Sequence, residues 1–205
     1  MKEAFHARFG FGDLMFIALE GEKGGGVMVP SGNFGLATVS HVVVYDILQR
    51  TGIPAEPRFE GILQIQNHKI LRFVEVIEYA GCSLDSCEIF IASGMTSVSK
   101  AIGEGNGGIL ASFCGVPALA RPKAVTVIKE LAILGMNGLI MLGGAVGPVL
   151  QFSAAANQVG MVLIDGINPI AAAVENGISI VNYAMGGVID FSRLQHVKDC
   201  QAIRG

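Results

Sequence analysis

Hydrophobic and polar positions follow one another in short runs whose spacing predicts strands and helices along most of the chain. Apolar or alternating runs between glycine-rich turns are typical of strands, and apolar residues three and four positions apart are typical of helices. Asp85 and Glu88 match a capping box at the start of a helix. The predicted strands are 14–19, 27–29, 61–66 and 69–79, and the predicted helices are 40–50, 86–90 and 97–102.

Three segments share one order of elements: a strand, a loop, a helix, a glycine and a second strand. They span 26–53, 108–142 and 160–185. A strand, a crossover helix and a second strand favour parallel or mixed pairing, with the helix packed across the sheet. The pattern therefore predicts an α/β fold with mixed sheets built from repeated β-loop-α-β units, in one or two lobes. The polar tail after Phe191 is expected to fray.

The composition limits the class of protein. Hydrophobic residues make up 51% of the 205 positions and charged residues 15%, against a usual charged share of about 25%. So little charge covers a monomer poorly, and we expect a homodimer or larger homo-oligomer. The net charge is −3, without a cluster of lysine and arginine, so direct binding to nucleic acid is not expected.

A long uncharged stretch raises the question of a membrane segment. Residues 131–164 carry no charged side chain, but glycine, proline, asparagine and glutamine interrupt them throughout. That spacing is typical of short buried strands joined by turns, so no membrane segment is predicted. The amino terminus has no apolar signal-peptide core, and the expected location is the cytoplasm.

The spacing of cysteine and histidine predicts no metal, and nothing in the sequence predicts a bound cofactor. The four cysteines contain no C-x-x-C pair, and the four histidines are scattered; the thiols are expected to be reduced. The stretch 103–108 fits G-x-G-x-x-G in letters, but a helix precedes it and a strand follows, which is the reverse of a dinucleotide loop. It is interpreted as a glycine-rich turn.

Four residues are the candidates for binding a ligand: Thr96, Ser97, Arg121 and Asn168. Arg121 precedes a proline that suits a first helical position, so free amides and a guanidinium converge there on an anion, or Arg121 pairs with an acid. Asn168 stands in the same relation to a proline, as a cap or a ligand. Thr96 and Ser97 bring hydroxyls to a loop, where they either bind ligand oxygens or cap a short helix. The loop that carries Thr96 and Ser97 and the loop that carries Arg121 are expected to line one cleft.

No catalytic residue is predicted, since the spacing contains no paired carboxylates and no arrangement of a nucleophile with a base. Asp165 follows an apolar strand, where acids are often site residues. An enzyme acting on a small anionic metabolite through Asp165 or Cys114 stays open as an alternative. A dimerisation module without a ligand is the other alternative.

Five segments in register resemble the regulatory (effector-binding) domain of the archaeal nitrogen-regulation repressors of the NrpR type. They are RTGIPAEPRFEG, EIFIASGMTSVS, GNGGILASFCGVPALAR, VGMVLIDGINPIAAAVENGI and AMGGVIDFSRL. The resemblance extends from about residue 27 to residue 194.

The resemblance implies a ligand-sensing domain rather than an enzyme. Such repressors hold nitrogen-assimilation genes off and respond to 2-oxoglutarate, and a PII-type signalling protein can act on them. They read DNA through a winged-helix region, which has no counterpart before residue 27 here. The expectation is one regulatory domain over 1–205, with a core of about 14–194, that binds 2-oxoglutarate and reaches DNA through a separate region or chain.

Overall fold

Helices, strands and short 3-10 turns account for most of the chain in the computed structural model, which describes residues 1–144, 147–183 and 187–200. The helices are α1 Lys2–His6, α2 Val42–Arg50, α3 Ser86–Ala92, α4 Val98–Glu104, α5 Arg121–Ile133 and α6 Asn168–Glu175. The strands are β1 Leu14–Ala18, β2 Lys23–Gly24, β3 Val27–Met28, β4 Gly35–Thr38, β5 Glu56–Gln66, β6 Lys69–Glu78, β7 Gly107–Pro117, β8 Leu139–Leu142, β9 Gln158–Ile164 and β10 Gln195–His196.

A five-stranded sheet organises the core, in the order β6-β5-β7-β9-β8. Its central strand, β7, is buried from Gly108 to Val116, as expected of a strand covered on both faces. Phe59 of β5 and Phe113 of β7 are cross-strand partners, and their rings stack with centroids 5.0 Å apart. Two smaller sheets, β10-β1-β4 and β2-β3, are formed from the two ends of the chain and the region before α2.

The α/β class is confirmed, because helices and several sheets share the main core, but the predicted parallel or mixed pairing of the strands is wrong. Every strand pair among the described residues is antiparallel. Helix α5 does lead from β7 to a strand of the same direction, β8, yet β9 lies between these two and is antiparallel to both. The repeated pattern predicted the crossover, but not that a later strand would insert into the gap.

Two predictions near the carboxyl end are also wrong. Residues 178–183 form no strand, and the rest of that predicted strand, 184 and 185, lies outside the described residues. The described part of the tail, up to residue 200, is held to the fold rather than frayed: β10 pairs with β1, and Val197 and Cys200 are buried. Polar composition misled here because only a few apolar side chains anchor the segment.

Several local predictions are confirmed. The Asp85 carboxylate accepts from the Glu88 amide at 3.0 Å, which caps α3. Asn67 and His68 both have positive φ in the two-residue turn between β5 and β6. The predicted end of α4 at residue 102 is wrong, because the helix extends to Glu104 and ends at Gly105 (φ +69°). No helix in the described part of the chain is both long and apolar enough to cross a bilayer.

Candidate functional site

Ser97 is tied to the first residues of β7 by two hydrogen bonds. Its amide donates to the carbonyl of Gly108 at 2.9 Å, and its Oγ accepts from the amide of Gly108 at 2.7 Å. These bonds hold the loop before α4 against the sheet and leave the hydroxyl hydrogen of Ser97 to be donated. Thr96, beside it, is only 8% exposed, so protein encloses its side chain.

A surface cleft of about 390 Å³ lies where β5, β6 and β7 meet α4. Its polar lining includes Gln64, Ser97 and Lys100, and apolar side chains of β5 and β6 form the remaining wall. Arg72 adds a second cation next to the cleft, since its Nε donates to Oε1 of Gln64 at 3.4 Å. The volume lies within the range of small-molecule sites, and its cations and hydroxyl suit a small anion.

A carboxylate of the chain itself occupies the amino end of α4. The oxygens of Glu175, on α6, accept from the amides of Val98 and Ser99 at 2.8 and 2.7 Å. The first free amides of a helix attract anions, and here an internal acid already satisfies them. Ser97 therefore does not cap α4 through its side chain, and any ligand of Ser97 binds from the side of the cleft.

Arg121 lies at the other end of β7. It begins α5, is half-buried, and its Nε donates to the carbonyl of Gly143 at 2.7 Å. Ser97 contacts Gly108, at the start of the eleven-residue strand, whereas Arg121 follows its end at Pro117. At about 3.4 Å per residue the two positions are about 30 Å apart, so the two loops do not line one cleft within a chain.

Asn168 fastens α6 to the sheet instead of facing a ligand. Its Oδ1 accepts from the amide of Leu110 at 2.7 Å, and its Nδ2 donates to the carbonyls of Leu110 and Asp165 at 2.8 and 3.0 Å. The residue is fully buried, and both donors of its amide are used. The proline after it allows α6 to begin there, as predicted, but the side chain bonds to β7 rather than capping its own helix.

The sequence reasoning did not foresee a buried polar group made of His41, Glu60 and Asp165. His41 precedes α2, Glu60 lies in β5, and Asp165 follows β9. Nδ1 of His41 is 3.3 Å from Oδ2 of Asp165, and its Nε2 is 3.7 Å from Oε2 of Glu60. All three are at most 5% exposed. An acid in the middle of a core strand was the available signal, but no spacing relates positions 41, 60 and 165.

Neighbouring side chains complete this group. The hydroxyl of Tyr79 donates to Oε2 of Glu60 at 2.7 Å, and the thiol of Cys87 donates to Oδ2 of Asp165 at 2.9 Å. The amide of Ile167 donates to the other oxygen of Asp165 at 3.0 Å. Asp165 is therefore well satisfied by donors, while Glu60 has one partner on one oxygen.

The charges of the group are strongly coupled. Burial lowers the pKa of His41, but Asp165 and Glu60 raise it more, to about 9. Burial raises the pKa of Asp165, but His41, with the donors around it, lowers it further, to about 2. Burial, with the charge of Asp165, raises the pKa of Glu60 well above its usual value. At neutral pH His41 and Asp165 thus form an imidazolium–carboxylate pair, and burial beside Asp165 makes Glu60 hold a proton more tightly than an exposed acid.

Cys114 offers no support for a catalytic nucleophile. Its side chain is fully buried in β7, and burial raises the pKa of the thiol to about 12. A reactive cysteine needs a stabilised thiolate that a substrate can reach, and Cys114 has neither property. The enzyme alternative has no support from this residue.

The chain is similar in sequence to proteins that are named as nitrogen regulators. The family of "NrpR regulatory domains NRD1 and 2" matches residues 1–196. The chain is 33% identical, over 82% of its length, to the "Global nitrogen regulator NrpRI" of Methanosarcina mazei. It is 30% identical, over 97% of its length, to the "Global nitrogen regulator NrpR" of Methanocaldococcus jannaschii.

A solved structure shows the same fold. The chain superposes on a "nitrogen repressor-like protein" from Methanococcus jannaschii with a TM-score of 0.78 and 29% identity, covering 96% of this chain and 79% of that one. The chain spans 52% of the Methanosarcina regulator and 32% of the Methanocaldococcus regulator. It thus corresponds to one part of longer proteins.

Proposed function

Since this chain belongs to the NrpR regulatory-domain family, we propose that it is the effector-sensing region of a nitrogen-assimilation repressor and binds 2-oxoglutarate. The family match and the names of the relatives concern nitrogen regulation and repression rather than catalysis. The observation that carries the ligand proposal is the cleft beside Ser97 and Lys100.

The chemistry of the cleft suits a small dicarboxylate. A site for such a dianion needs cations and hydroxyl or amide donors in a recess. Lys100 lines the cleft, and Arg72 is held beside it by Gln64. The partner of Lys100, Glu104, is 3.9 Å away, and both side chains are more than half exposed. Such a surface pair is weak, so a ligand carboxylate can compete for Lys100.

The edge of the main sheet supports a homodimer. Strand β6 has a neighbour on one side only, and its side chains of Ile70, Leu71, Val74 and Val76 are 37–42% exposed. Apolar side chains along a sheet edge favour cover by another surface. Val74 also lines the cleft, so a second copy of the chain that packs on this edge would contact the bound effector.

The effector would act by preferring one of two dimer arrangements, because a ligand can shift an equilibrium only by its difference in affinity for the two states. DNA would be bound by a separate winged-helix region or chain, and the dimer arrangement that the effector favours would change how that region binds DNA. A PII-type protein is the proposed further partner in repression.

Calorimetric titration of the purified chain with 2-oxoglutarate tests this proposal. Lys100→Ala should weaken binding about tenfold to a hundredfold, as expected for loss of one charge-assisted bond. Lys129→Ala, which removes an exposed lysine on α5, is the matched control and should bind like the unaltered chain. Arg121→Ala should bind normally, since Arg121 lies at the far end of β7.

The outcomes separate the alternatives. No heat and no thermal stabilisation at millimolar 2-oxoglutarate would refute the sensor proposal. If the chain were still dimeric by light scattering, that result would favour a dimerisation module, for which the apolar β6 edge is the specific support. Binding that Arg121→Ala abolishes and Lys100→Ala leaves intact would move the site to the start of α5.

A further inference from the structure

Three side chains of types that commonly bind metals meet inside the main core. They are buried, whereas the effector cleft is open to the surface. One donor atom each from His41, Glu60 and Asp165 lies within 4.8 Å of the other two. The side chains are 6%, 1% and 7% exposed. The thiol of Cys87, in the first turn of α3, is 2.9 Å from Asp165. The donor set is thus one nitrogen, carboxylate oxygens and a sulfur.

Two atoms of this group have no hydrogen-bond partner although they are buried. They are Oε1 of Glu60 and Nδ1 of His41. Nδ1 is close enough to Asp165 for an ion pair, at 3.3 Å, but the atoms do not align as a hydrogen bond. A buried polar atom without a partner costs about 1–3 kcal/mol, and such atoms are rare in folded proteins. Their position inside one cluster indicates that a common partner is missing.

That partner should be a cation. Two carboxyl groups lie in a dry core with a single imidazole between them, and the surrounding donors are a phenol, a thiol and a backbone amide. Protons can neutralise the group, but His41 and Glu60 then depend on the same carboxylate, Asp165, as their partner. A divalent cation would neutralise both carboxylates and supply an electron-pair acceptor to Oε1 of Glu60 and Nδ1 of His41 at once.

We propose that His41, Glu60 and Asp165 bind one zinc ion, with Cys87 as the fourth ligand. Zinc accepts nitrogen, oxygen and sulfur donors in a tetrahedral arrangement, and buried structural sites are closed by four protein ligands. Bond lengths of about 2.0–2.3 Å put neighbouring donor atoms about 3.4 Å apart. The separation of 3.3 Å between Nδ1 of His41 and Oδ2 of Asp165 is close to that value. A donor atom of Glu60 lies within 4.8 Å of the other two residues, so a shift of about 1 Å would bring it into range. The thiol of Cys87 lies 2.9 Å from Oδ2 of Asp165 and would turn toward the ion to close the site.

Binding is coupled to proton release. The ion takes one nitrogen of a neutral imidazole, an oxygen from each carboxylate and the sulfur of a thiolate, so the protons of His41, Glu60 and Cys87 pass to solvent. The site would join the start of α2, strand β5, the end of β9 and helix α3. These elements are distant in sequence, so the ion would stabilise the tertiary arrangement around the sheet.

Metal titration of the whole chain tests the inference independently of 2-oxoglutarate. The chain is stripped with a chelator, dialysed and titrated with zinc, with bound metal measured by mass spectrometry. We expect one zinc per chain, a higher thermal midpoint and proton release into a weak buffer. Cobalt in place of zinc should give the intense visible bands of a tetrahedral site and a thiolate-to-metal band in the near ultraviolet.

Variants connect these signals to the site. Glu60→Gln keeps shape and removes the charge, and it should weaken zinc binding at least about tenfold. Cys87→Ser should abolish the thiolate band. The matched control is His196→Gln, which alters a half-buried histidine that pairs with Asp13 at 3.0 Å and should leave zinc binding unchanged. Circular dichroism of each variant verifies that it is folded.

Either of two results overturns the zinc site: no stoichiometric zinc in the unaltered chain, or equal affinity in folded Glu60→Gln. The group would then be a proton-sharing network. Zinc binding without a thiolate band in the cobalt form would refute Cys87 as the fourth ligand.

Discussion

Replacing Asn168 by alanine should lower the stability of the fold rather than only weaken the binding of a ligand. The side chain joins α6 to the centre of β7 through the amide and carbonyl of Leu110, and to the end of β9 through the carbonyl of Asp165. All of these groups are buried, and no water reaches Asn168, which is 0% exposed. Alanine would remove three hydrogen bonds at once and leave a small cavity.

The expected cost follows from the partners left behind. The amide of Leu110 loses its acceptor inside the core, which costs about 1–3 kcal/mol. Its carbonyl is less affected, because it also accepts from the amide of Asp165 at 3.0 Å. Loss of the two remaining bonds adds about 0.5–1.5 kcal/mol each at most. We therefore expect the free energy of unfolding to fall by about 2–6 kcal/mol.

Urea unfolding followed by circular dichroism measures this change. The slope of the unfolding free energy against urea concentration should stay the same as in the unaltered chain. The matched control is Asn176→Ala, at the other end of α6. Its Nδ2 also donates twice, to Oγ of Ser99 and the carbonyl of Ala172, but the residue is exposed, so the cost should stay below about 1 kcal/mol. If Asn168→Ala cost no more than Asn176→Ala, the role assigned to the buried amide would be wrong.

Three further predictions concern charge, capping and close packing. With metal removed by a chelator, the free energy of unfolding should fall by up to about 3 kcal/mol from pH 6.5 to pH 9, because the folded pKa of His41 is about 9 and its stabilising charge is lost as pH rises through that value. Glu175→Ala should cost about 1–2 kcal/mol in urea unfolding, since it leaves the first amides of α4 without an acceptor. Gly166→Ala should lower the free energy of unfolding by about 2 kcal/mol or more, because a Cβ there would lie 1.9 Å from the carbonyl oxygen of Val39. Gly103→Ala, in α4, should raise it by about 0.5–1 kcal/mol, because a Cβ at that position would meet open space.

Each of these has a control. The pH effect should largely disappear in His41→Gln, and a pH-independent difference between the two proteins would contradict it. Glu104→Ala removes an exposed acid from the end of α4 and should change stability little; an equal loss there would argue against capping by Glu175. The glycine pair is its own control, since the two substitutions should have opposite signs.

The local elements of this fold were largely predictable, because they depend on neighbouring residues. The capping box at Asp85 and the turn at Asn67 each follow from one or two side chains. Strand pairing was not predictable, because β9 enters between β7 and β8 from a position later in the chain. The residue pattern of a crossover is the same whether or not a third strand separates the two it joins.

The residues predicted to bind a ligand are not brought together by the fold. Ser97 and Lys100 line the cleft, whereas Arg121 does not. Sequence reasoning favoured Arg121 because of the proline after it, and that feature does begin a helix. It could not reveal that an eleven-residue strand carries Arg121 away from Ser97.

By itself, the sequence indicated most of the local elements and the resemblance to the family, since these depend on residue types in a fixed order. Only the tertiary structure decided which side chains meet. In the fold, Asn168 is buried and hydrogen-bonds to β7, and Glu175 accepts hydrogen bonds from the first amides of α4. The fold also brings His41, Glu60 and Asp165 together. The physical reason is that a buried polar group must find a partner wherever the fold provides one, and separation along the chain does not restrict that choice.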